Sequence, residues 1–199
     1  MSVSEGASPR SEAKATRRQA LLDAAAALFA AQGFAGVSLD DLGAAAGVSG
    51  PAIYRHFAGK QAVLGALLVS VSRELLEGGL RAMTTGTADD GDSALRALVA
   101  FHVDFALSKP EVIRVQDRDF MSLSAADQSA VRSLQLDYVD VWAQALSRVH
   151  PDATPAELRL RAQAVFGLIN STPHSVRRTT RRTAGKLLES MALAALKAP

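Results

Sequence analysis

The sequence predicts an all-α protein of about nine helices, and three observations support this fold class. Hydrophobic residues make up 48% of the 199 residues, and alanine and leucine, which favour helix, dominate that share. Apolar residues recur at intervals of three and four along most of the chain, as they do on one face of a helix. Nowhere do β-branched residues alternate convincingly with polar ones, so an extensive sheet is not expected.

The first helix is predicted to begin at Thr16, which forms a capping box with Gln19, and to end at Gln32 before Gly33. Its apolar residues lie three and four positions apart and form one buried face. Residues 1–12 are rich in Ser, Gly, Pro and charged side chains, a composition that predicts a disordered tail.

The next two helices lie on either side of a tight turn at Gly47, a residue that adopts a positive φ at little cost. Ser38 and Asp41 form a cap for the helix before the turn, and three alanines in its last turn leave room for a close helix crossing. In the helix after the turn, Ile53 and Phe57 share one face. Two short helices that cross closely predict a helix-turn-helix, whose second helix enters the major groove of DNA.

Helical spacing of apolar residues predicts five further helices, at 59–80, 93–108, 124–150, 155–170 and 184–197. A loop at 83–93 is the best candidate for a seam between domains. The last two helices are apolar enough to form a two-fold four-helix bundle with a second copy of the chain. The alternative is that both helices only close the core of the monomer.

Composition and motifs exclude several classes of function. The formal net charge is only +2, so any affinity for DNA must come from locally placed Lys and Arg. The chain has no cysteine, and its four histidines are far apart in sequence without metal-ligand spacing. Nucleophile-elbow, Walker and dinucleotide-binding motifs are absent. We therefore expect neither an enzyme nor a cofactor. Without a signal-like N-terminus or a long apolar stretch, a cytoplasmic protein that binds no membrane is expected.

The stretch from Gly47 to Lys60, G-V-S-x-x-x-I-Y-R-H-F-x-x-K, resembles the N-terminal domain of transcriptional repressors of the TetR/AcrR type. The resemblance covers residues 16–64. It implies a helix-turn-helix DNA-binding domain at 13–60 and an effector-binding and dimerisation domain at 61–199. The implied function is that of a homodimeric repressor that a small apolar or acyl-CoA-like effector releases from a double-stranded DNA operator. The alternative is an effector-independent DNA-binding protein with a packed C-terminal core.

The predicted DNA contacts come from residues in and around the second helix of the helix-turn-helix, which we call the recognition helix. The resemblance implies phosphate contacts for Tyr54, His56 and Lys60, whose side chains offer a hydroxyl, a ring N–H and a point charge. It implies base contacts for Arg55, Pro51 and Ala52. The guanidinium of Arg55 can read guanine through two hydrogen bonds. A half-buried core ring is the alternative for Tyr54, and a solvated charge is the alternative for Arg55. The complete predicted set is Arg17, Ser38, Ser49, Gly50, Pro51, Ala52, Tyr54, Arg55, His56 and Lys60.

The C-terminal region should contain an effector pocket, because the resemblance implies one. For each apolar candidate, ordinary core packing is the alternative. A run of positive charge from Arg177 to Lys186 predicts an anion site for the phosphates of an acyl-CoA thioester, and a solvent-exposed loop is the alternative. The segments VQDRDF and FGLINSTPHS also resemble regulators of lipid and acyl-CoA catabolism. The predicted ligand-binding residues are Phe101, His102, Phe105, Arg114, Phe120, Tyr138, Trp142, Phe166, Asn170, His174, Arg177 and Arg178.

Overall fold

The computed structural model describes residues 9–48, 53–85, 91–176 and 179–198. Within these ranges there are nine α-helices, one 3₁₀ turn at Phe120–Ser122 and no strand, so the all-α prediction is confirmed. The helices are α1 Pro9–Gly36, α2 Leu39–Ala45, α3 Lys60–Thr85, α4 Gly91–Ser108, α5 Pro110–Asp119, α6 Ala125–Ser147, α7 Pro155–Asn170, the single turn α8 Thr172–Ser175, and α9 Arg181–Lys197.

Helix α1 starts earlier than predicted. It begins at Pro9, so the last four residues of the predicted tail are helical, and the pair Thr16 and Gln19 lies inside the helix rather than at its start. Proline fits the first helical turn, because the N–H that it lacks would have no partner there, and most residues up to Thr16 are ordinary helix formers. The predicted stop at Gly33 is confirmed, since φ is +82° there and the chain bends.

The predicted cap and turn of the helix-turn-helix are both present. The backbone N–H of Asp41 donates to the Ser38 hydroxyl oxygen at 3.1 Å, and the backbone N–H of Ser38 donates to the Asp41 carboxylate at 2.8 Å. These bonds to Ser38 hold the pKa of Asp41 below its ordinary value. Gly47 adopts a φ of +67° after α2, as the turn requires. Helix α7 begins with the same reciprocal arrangement, between Thr154 and Glu157.

Two apolar clusters share helix α3. The N-terminal cluster packs α1 and α2 on the first half of α3, and it also includes residues of α4, α5 and α6, among them Phe105 and Val115. The C-terminal cluster packs α4, α6, α7 and α9 around Trp142, which is fully buried. The predicted seam at 83–93 connects α3 to α4 in the sequence. It does not separate two domains in space, because the two helices pack against each other. The two halves of the protein therefore share buried surface.

Two glycines let α3 approach its neighbours closely. A Cβ atom on Gly79 would lie 2.5 Å from Cε2 of Tyr138 on α6, and a Cβ atom on Gly78 would overlap the ring of Phe101 on α4. Protein interiors are close-packed, so a larger residue at either position requires a shift of buried rings. The spacing of α3 from both neighbours thus depends on the absence of a side chain.

We expect Gly79→Ala to lower the free energy of unfolding by about 1–3 kcal/mol, because the added methyl group overpacks against a buried ring. The higher helix propensity of alanine opposes this loss by up to about 1 kcal/mol. Urea titration followed by circular dichroism measures the difference. In a Tyr138→Leu background the same substitution should cost less. An equal cost in both backgrounds would show that the ring is not responsible.

Candidate functional site

The described part of the recognition helix is one helical turn, from Ile53 to Phe57. The backbone N–H groups of His56 and Phe57 both donate to the carbonyl oxygen of Ile53, at 2.8 and 2.9 Å. Ile53 and Phe57 are buried in the N-terminal cluster, as predicted. Tyr54, in contrast, has 63% of its surface exposed, and Arg55 is exposed as well. This exposure excludes the alternative that Tyr54 is a half-buried core ring.

The other predicted DNA contacts differ in how far the structure describes them. Ser38 is engaged in the α2 cap, where its hydroxyl donates to the Asp41 carboxylate at 2.6 Å. Arg17 is exposed on α1. Four predicted contacts lie outside the described residues, so their roles stay predictions: Ser49, Gly50, Pro51 and Ala52.

Lys60 makes a contact with α1 that the sequence did not predict. Its ammonium donates to the carbonyl oxygen of Phe34 at 2.8 Å and lies 4.5 Å from the centroid of the Phe34 ring. This hydrogen bond uses one of three N–H donors, so two remain for a phosphate. Arg18 makes a related contact, with its guanidinium carbon 5.1 Å from the centroid of the Phe57 ring. Both cations thus stabilise the packing of the DNA-binding unit.

His56 has one ring nitrogen available for DNA. Its Nδ1 is buried and has no hydrogen-bond partner among the described residues. A ring that carries a proton on Nε2 can donate that Nε2–H group to a phosphate.

Four predicted ligand residues pack together as rings inside the C-terminal cluster. The rings of His102 and Phe166 are parallel, with centroids 4.8 Å apart, and Tyr138 stacks on Phe166 at 5.3 Å. Trp142 meets Phe166 edge-on at 5.0 Å. These contacts fill the space between α4, α6 and α7, so the four residues act as core packing in this conformation.

Hydrogen bonds order the polar atoms of this ring cluster. Nδ1 of His102 lies 3.0 Å from the Tyr138 hydroxyl, and Nε2 lies 3.2 Å from the amide oxygen of Asn170. With that oxygen as the acceptor, Nε2 carries the proton and Tyr138 donates to Nδ1. Burial lowers the pKa of His102 to about 4 and raises the pKa of Tyr138, so both groups are neutral at pH 7. The chain of hydrogen bonds connects α6, α4 and the end of α7.

A cavity of about 80 Å³ lies at the end of this hydrogen-bonded chain, bordered by α3, α4, α5, α6 and α7. Two of the predicted ligand residues, Phe105 and Asn170, line it. The sequence analysis missed the other eight lining residues, because the apolar pattern of a helix such as α3 or α5 indicates a buried face without indicating which neighbouring helix that face meets. The missed lining residues are Val71, Ser72, Leu75, Val112, Ile113, Gln116, Asp117 and Gln135.

Two further predicted aromatic ligand residues, like the rings around Phe166, do not line this cavity. Phe101 packs on α3 at Gly78. Phe120 packs against the N-terminal cluster, where the guanidinium of Arg132 lies 5.1 Å from its ring centroid. Their apolar character is explained by these contacts, which are the core packing that the sequence analysis gave as the alternative, and a role in ligand binding stays a prediction.

The predicted polar ligand residues are also dispersed. Arg114 donates to the carbonyl oxygen of Pro173 at 2.9 Å, which joins α5 to α8, and His174 is exposed. Neither residue lines the cavity. Arg177 and Arg178 lie outside the described residues, so their predicted role as an anion site stays a prediction.

Arg118 joins the C-terminal end of α5 to α1. Its guanidinium donates to the carbonyl oxygen of Phe29 and lies 3.5 Å from that of Ala30, just before the bend at Gly33. Asp119, only 6% exposed, accepts from the same guanidinium at 3.1 Å. Carbonyl groups near a helix end lack partners within the helix, so the guanidinium satisfies them. We call Arg118, Asp119 and the two carbonyl groups the α5–α1 clamp.

In the described part of the chain, no group of three His, Asp or Glu side chains could hold a metal ion. No helix in the same ranges is long and apolar enough to cross a membrane.

Comparison with known proteins agrees with this arrangement of helix-turn-helix and helical core. Residues 21–67 match the family model for bacterial regulatory proteins of the tetR family, and residues 88–197 match that for the tetracyclin repressor-like C-terminal domain. The chain is 49% identical over 59 residues to the uncharacterized HTH-type transcriptional regulator TtgW of Pseudomonas putida, which covers 30% of this chain and 43% of TtgW. The chain thus spans less than half the length of this curated relative.

Solved structures match over nearly the whole chain. A TetR-family transcriptional regulator from Bordetella parapertussis has a TM-score of 0.80 at 22% identity, over 91% of this chain and 94% of that one. AibR, solved in complex with isovaleryl coenzyme A and operator DNA, has a TM-score of 0.71 at 18% identity, over 88% of this chain and 97% of AibR. At such identities these matches show the fold alone.

The chain belongs to the TetR family, since the C-terminal family model alone matches more than half of its residues. The members of this family are DNA-binding transcriptional regulators rather than enzymes. The exposed turn of Tyr54 and Arg55 belongs to the matched DNA-binding region.

We expect Arg55→Ala to remove the preference for one base per half-site, worth about 1–3 kcal/mol, while Tyr54→Phe weakens binding to all sequences alike. The reason is that a guanidinium can read a base edge, whereas the hydroxyl reaches only the backbone. Fluorescence anisotropy with operator variants measures both effects. Arg73→Ala, an equal change in charge at an exposed residue of α3, is the matched control. An equal change in base preference for Arg55→Ala and Arg73→Ala would contradict the base contact.

Proposed function

We propose that the protein is a homodimeric repressor that leaves its operator when a small molecule occupies the cavity in the C-terminal half. One observation carries this proposal: helix α5 contributes Val112, Ile113, Gln116 and Asp117 to the cavity and holds α1 through Arg118. A single rigid element therefore contacts both the ligand space and the DNA-binding unit. The effector-independent alternative would leave the cavity without a role.

An apolar face on α7 and α9 supports the dimer. Leu160, Leu187 and Met191 are 65%, 58% and 46% exposed, which is costly for a monomer in water. A largely apolar groove of about 280 Å³ lies between α9, the end of α7 and the segment that joins them, and it includes Leu187 and Met191. A two-fold pair of such faces forms a four-helix bundle. Two helix-turn-helix units can then contact two half-sites, which one unit with few base-reading side chains cannot.

We expect Met191→Glu to give monomers that keep their helical content and lose operator binding, because two charges would meet near the two-fold axis without partners. Analytical ultracentrifugation and circular dichroism measure the two properties. Leu188 is less suitable for this test, since it is only 8% exposed and belongs to the monomer core. Leu136→Glu, on an exposed position of α6, is the control and should stay dimeric. A monomeric parent protein at micromolar concentration would contradict the dimer.

The proposed signal passes from the cavity to α1 through the α5–α1 clamp. A ligand that moves α5 also moves Arg118, which is bonded to the backbone of α1. Within the DNA-binding unit, α1 is joined to the start of α3, just after the recognition helix, by the hydrogen bond from Lys60 to Phe34. The effector must bind the DNA-incompetent arrangement more tightly than the competent one, because a ligand shifts an equilibrium only by its differential affinity.

We expect Arg118→Ala to lower the free energy of unfolding by about 1–3 kcal/mol, because Asp119 loses its cation while it stays buried. Half of the Arg118 side chain is exposed, so the loss should stay below that of a fully buried pair. Chemical denaturation measures the change. The double variant Arg118→Ala/Asp119→Asn should recover part of the stability, since the buried charge is gone. No recovery would show that the pair is not coupled.

Acyl-CoA thioesters are a second candidate class of effector. An open cleft of about 440 Å³ between α4 and α9, lined by Arg181, Arg182 and Lys186, supports this class. AibR, which has the same fold, was solved with isovaleryl coenzyme A. Within the cleft, Arg181 is paired with Asp104 at 2.7 Å, so Arg182 and Lys186 would contact the phosphates.

Selection of bound duplexes from a random DNA pool tests the proposed function as a whole. The expected product is a near-palindrome whose half-sites are separated by about one helical turn or a multiple of it. Enrichment of a single unrepeated half-site would contradict a dimeric repressor, and enrichment of no sequence would contradict specific binding.

A further inference from the structure

The cavity beside Asn170 has an unusual distribution of charge. Asp117 carries the only ionisable side chain among its ten lining residues. The other polar lining groups are the amides of Gln116, Gln135 and Asn170 and the hydroxyl of Ser72. No lysine, arginine or histidine lines this cavity, so its only formal charge is negative.

The polar groups of the cavity also offer more acceptors than donors. The Ser72 hydroxyl donates to the carbonyl oxygen of Leu68 at 2.8 Å, so only its lone pairs are left. Among the described residues, the amides of Gln116 and Gln135 and the carboxylate of Asp117 have no hydrogen-bond or ion-pair partner, and Asp117 and Gln135 are exposed at the mouth of the cavity. Partial burial raises the pKa of Asp117 and the proximity of His174 opposes this shift, but His174 does not line the cavity. A ligand that donates hydrogen bonds would satisfy this set.

The rest of the cavity wall is apolar, and it is formed by Val71, Leu75, Phe105, Val112 and Ile113. A volume of about 80 Å³ is well below the roughly 300–1,000 Å³ of pockets for drug-sized ligands. The space therefore fits a short alkyl chain as it stands, and a body of one ring enters only if the neighbouring helices move apart, since a cavity that binds benzene has roughly 150 Å³.

We propose that this cavity selects a small amine, whose ammonium group binds Asp117 and the neighbouring amides while its apolar body packs against Phe105, Val112 and Ile113. The proposal rests on the proposed function only for the consequence of binding, which is release from DNA. A carboxylate of the same size is disfavoured, because its negative charge would lie next to that of Asp117 without a lining cation to compensate it.

Three ligands with the same ring and different head groups test this proposal: benzylamine, benzyl alcohol and benzoate. Isothermal calorimetry and thermal unfolding of the intact protein at pH 7 measure binding, and operator anisotropy measures release separately. We expect benzylamine to bind at least about tenfold more tightly than the other two, as for a charge-assisted hydrogen bond. Asp117→Asn should remove that advantage and leave the affinity for benzyl alcohol unchanged. Asp152→Asn, at an exposed carboxylate outside the cavity lining, should leave it intact.

Other outcomes overturn the proposal. Tighter binding of benzoate than of benzylamine would show that the cavity favours an anion. Unchanged affinity for benzylamine in Asp117→Asn would reject the carboxylate as the anchor, and no binding of benzylamine would reject the class. Binding of the amine without release from the operator would support the cavity assignment and contradict the proposed function instead.

Discussion

The hydrogen bonds between the guanidinium of Arg118 and the backbone of α1 connect the two halves of the protein. The end of a helix exposes carbonyl groups that lack internal partners, and α1 bends at Gly33 shortly after the two carbonyls that Arg118 contacts. Beyond that bend, the ammonium of Lys60 donates to the carbonyl oxygen of Phe34. Two cations from different parts of the chain thus fix the same end of α1, one from α5 and one from the start of α3. The orientation of the helix-turn-helix relative to the core depends on both.

In the proposed function, this arrangement connects the small cavity mechanically to the DNA-binding unit. The ring cluster around Phe166 is closely packed, so the adjustable space lies beside it, between Phe105, Asn170 and the face of α5. Packed interiors change between discrete arrangements rather than deforming continuously. A ligand that enters this space must therefore displace α5 or its neighbours, and any displacement of α5 is transmitted to α1 through bonds to its backbone.

Features that depend on local pattern were predictable from the sequence. The Ser38 cap, the positive φ of Gly47 and the burial of Ile53 all follow from residue type and spacing. The start of α1 was not, because a Thr-x-x-Gln pair inside a helix looks the same in sequence as one at its start. The clamp could not be predicted either, since the acceptors of Arg118 are backbone carbonyls that every residue carries.

The cavity shows a second limit of sequence reasoning. The prediction selected aromatic residues of the C-terminal region, and most of these pack on each other instead of lining a space. The residues that do line it come from five helices, and their common location depends on which helix faces meet. Periodicity identifies the buried face of each helix, whereas the partner of that face is set by the tertiary packing of the whole chain.

The central claim is that the cavity is coupled to the DNA-binding units. A measurement of the distance between the two DNA-binding units of a dimer tests it most directly. The chain has no cysteine, so Ala58→Cys provides one exposed position for a spin label in each protomer. Ser72→Leu fills part of the cavity without any ligand, because Ser72 is buried in its wall. Coupling of the cavity to the DNA-binding units predicts that dipolar electron paramagnetic resonance finds a label distance changed by several ångströms in Ser72→Leu, together with weaker operator binding. An unchanged distance and an unchanged operator affinity, in a variant that is folded and dimeric, would contradict this coupling.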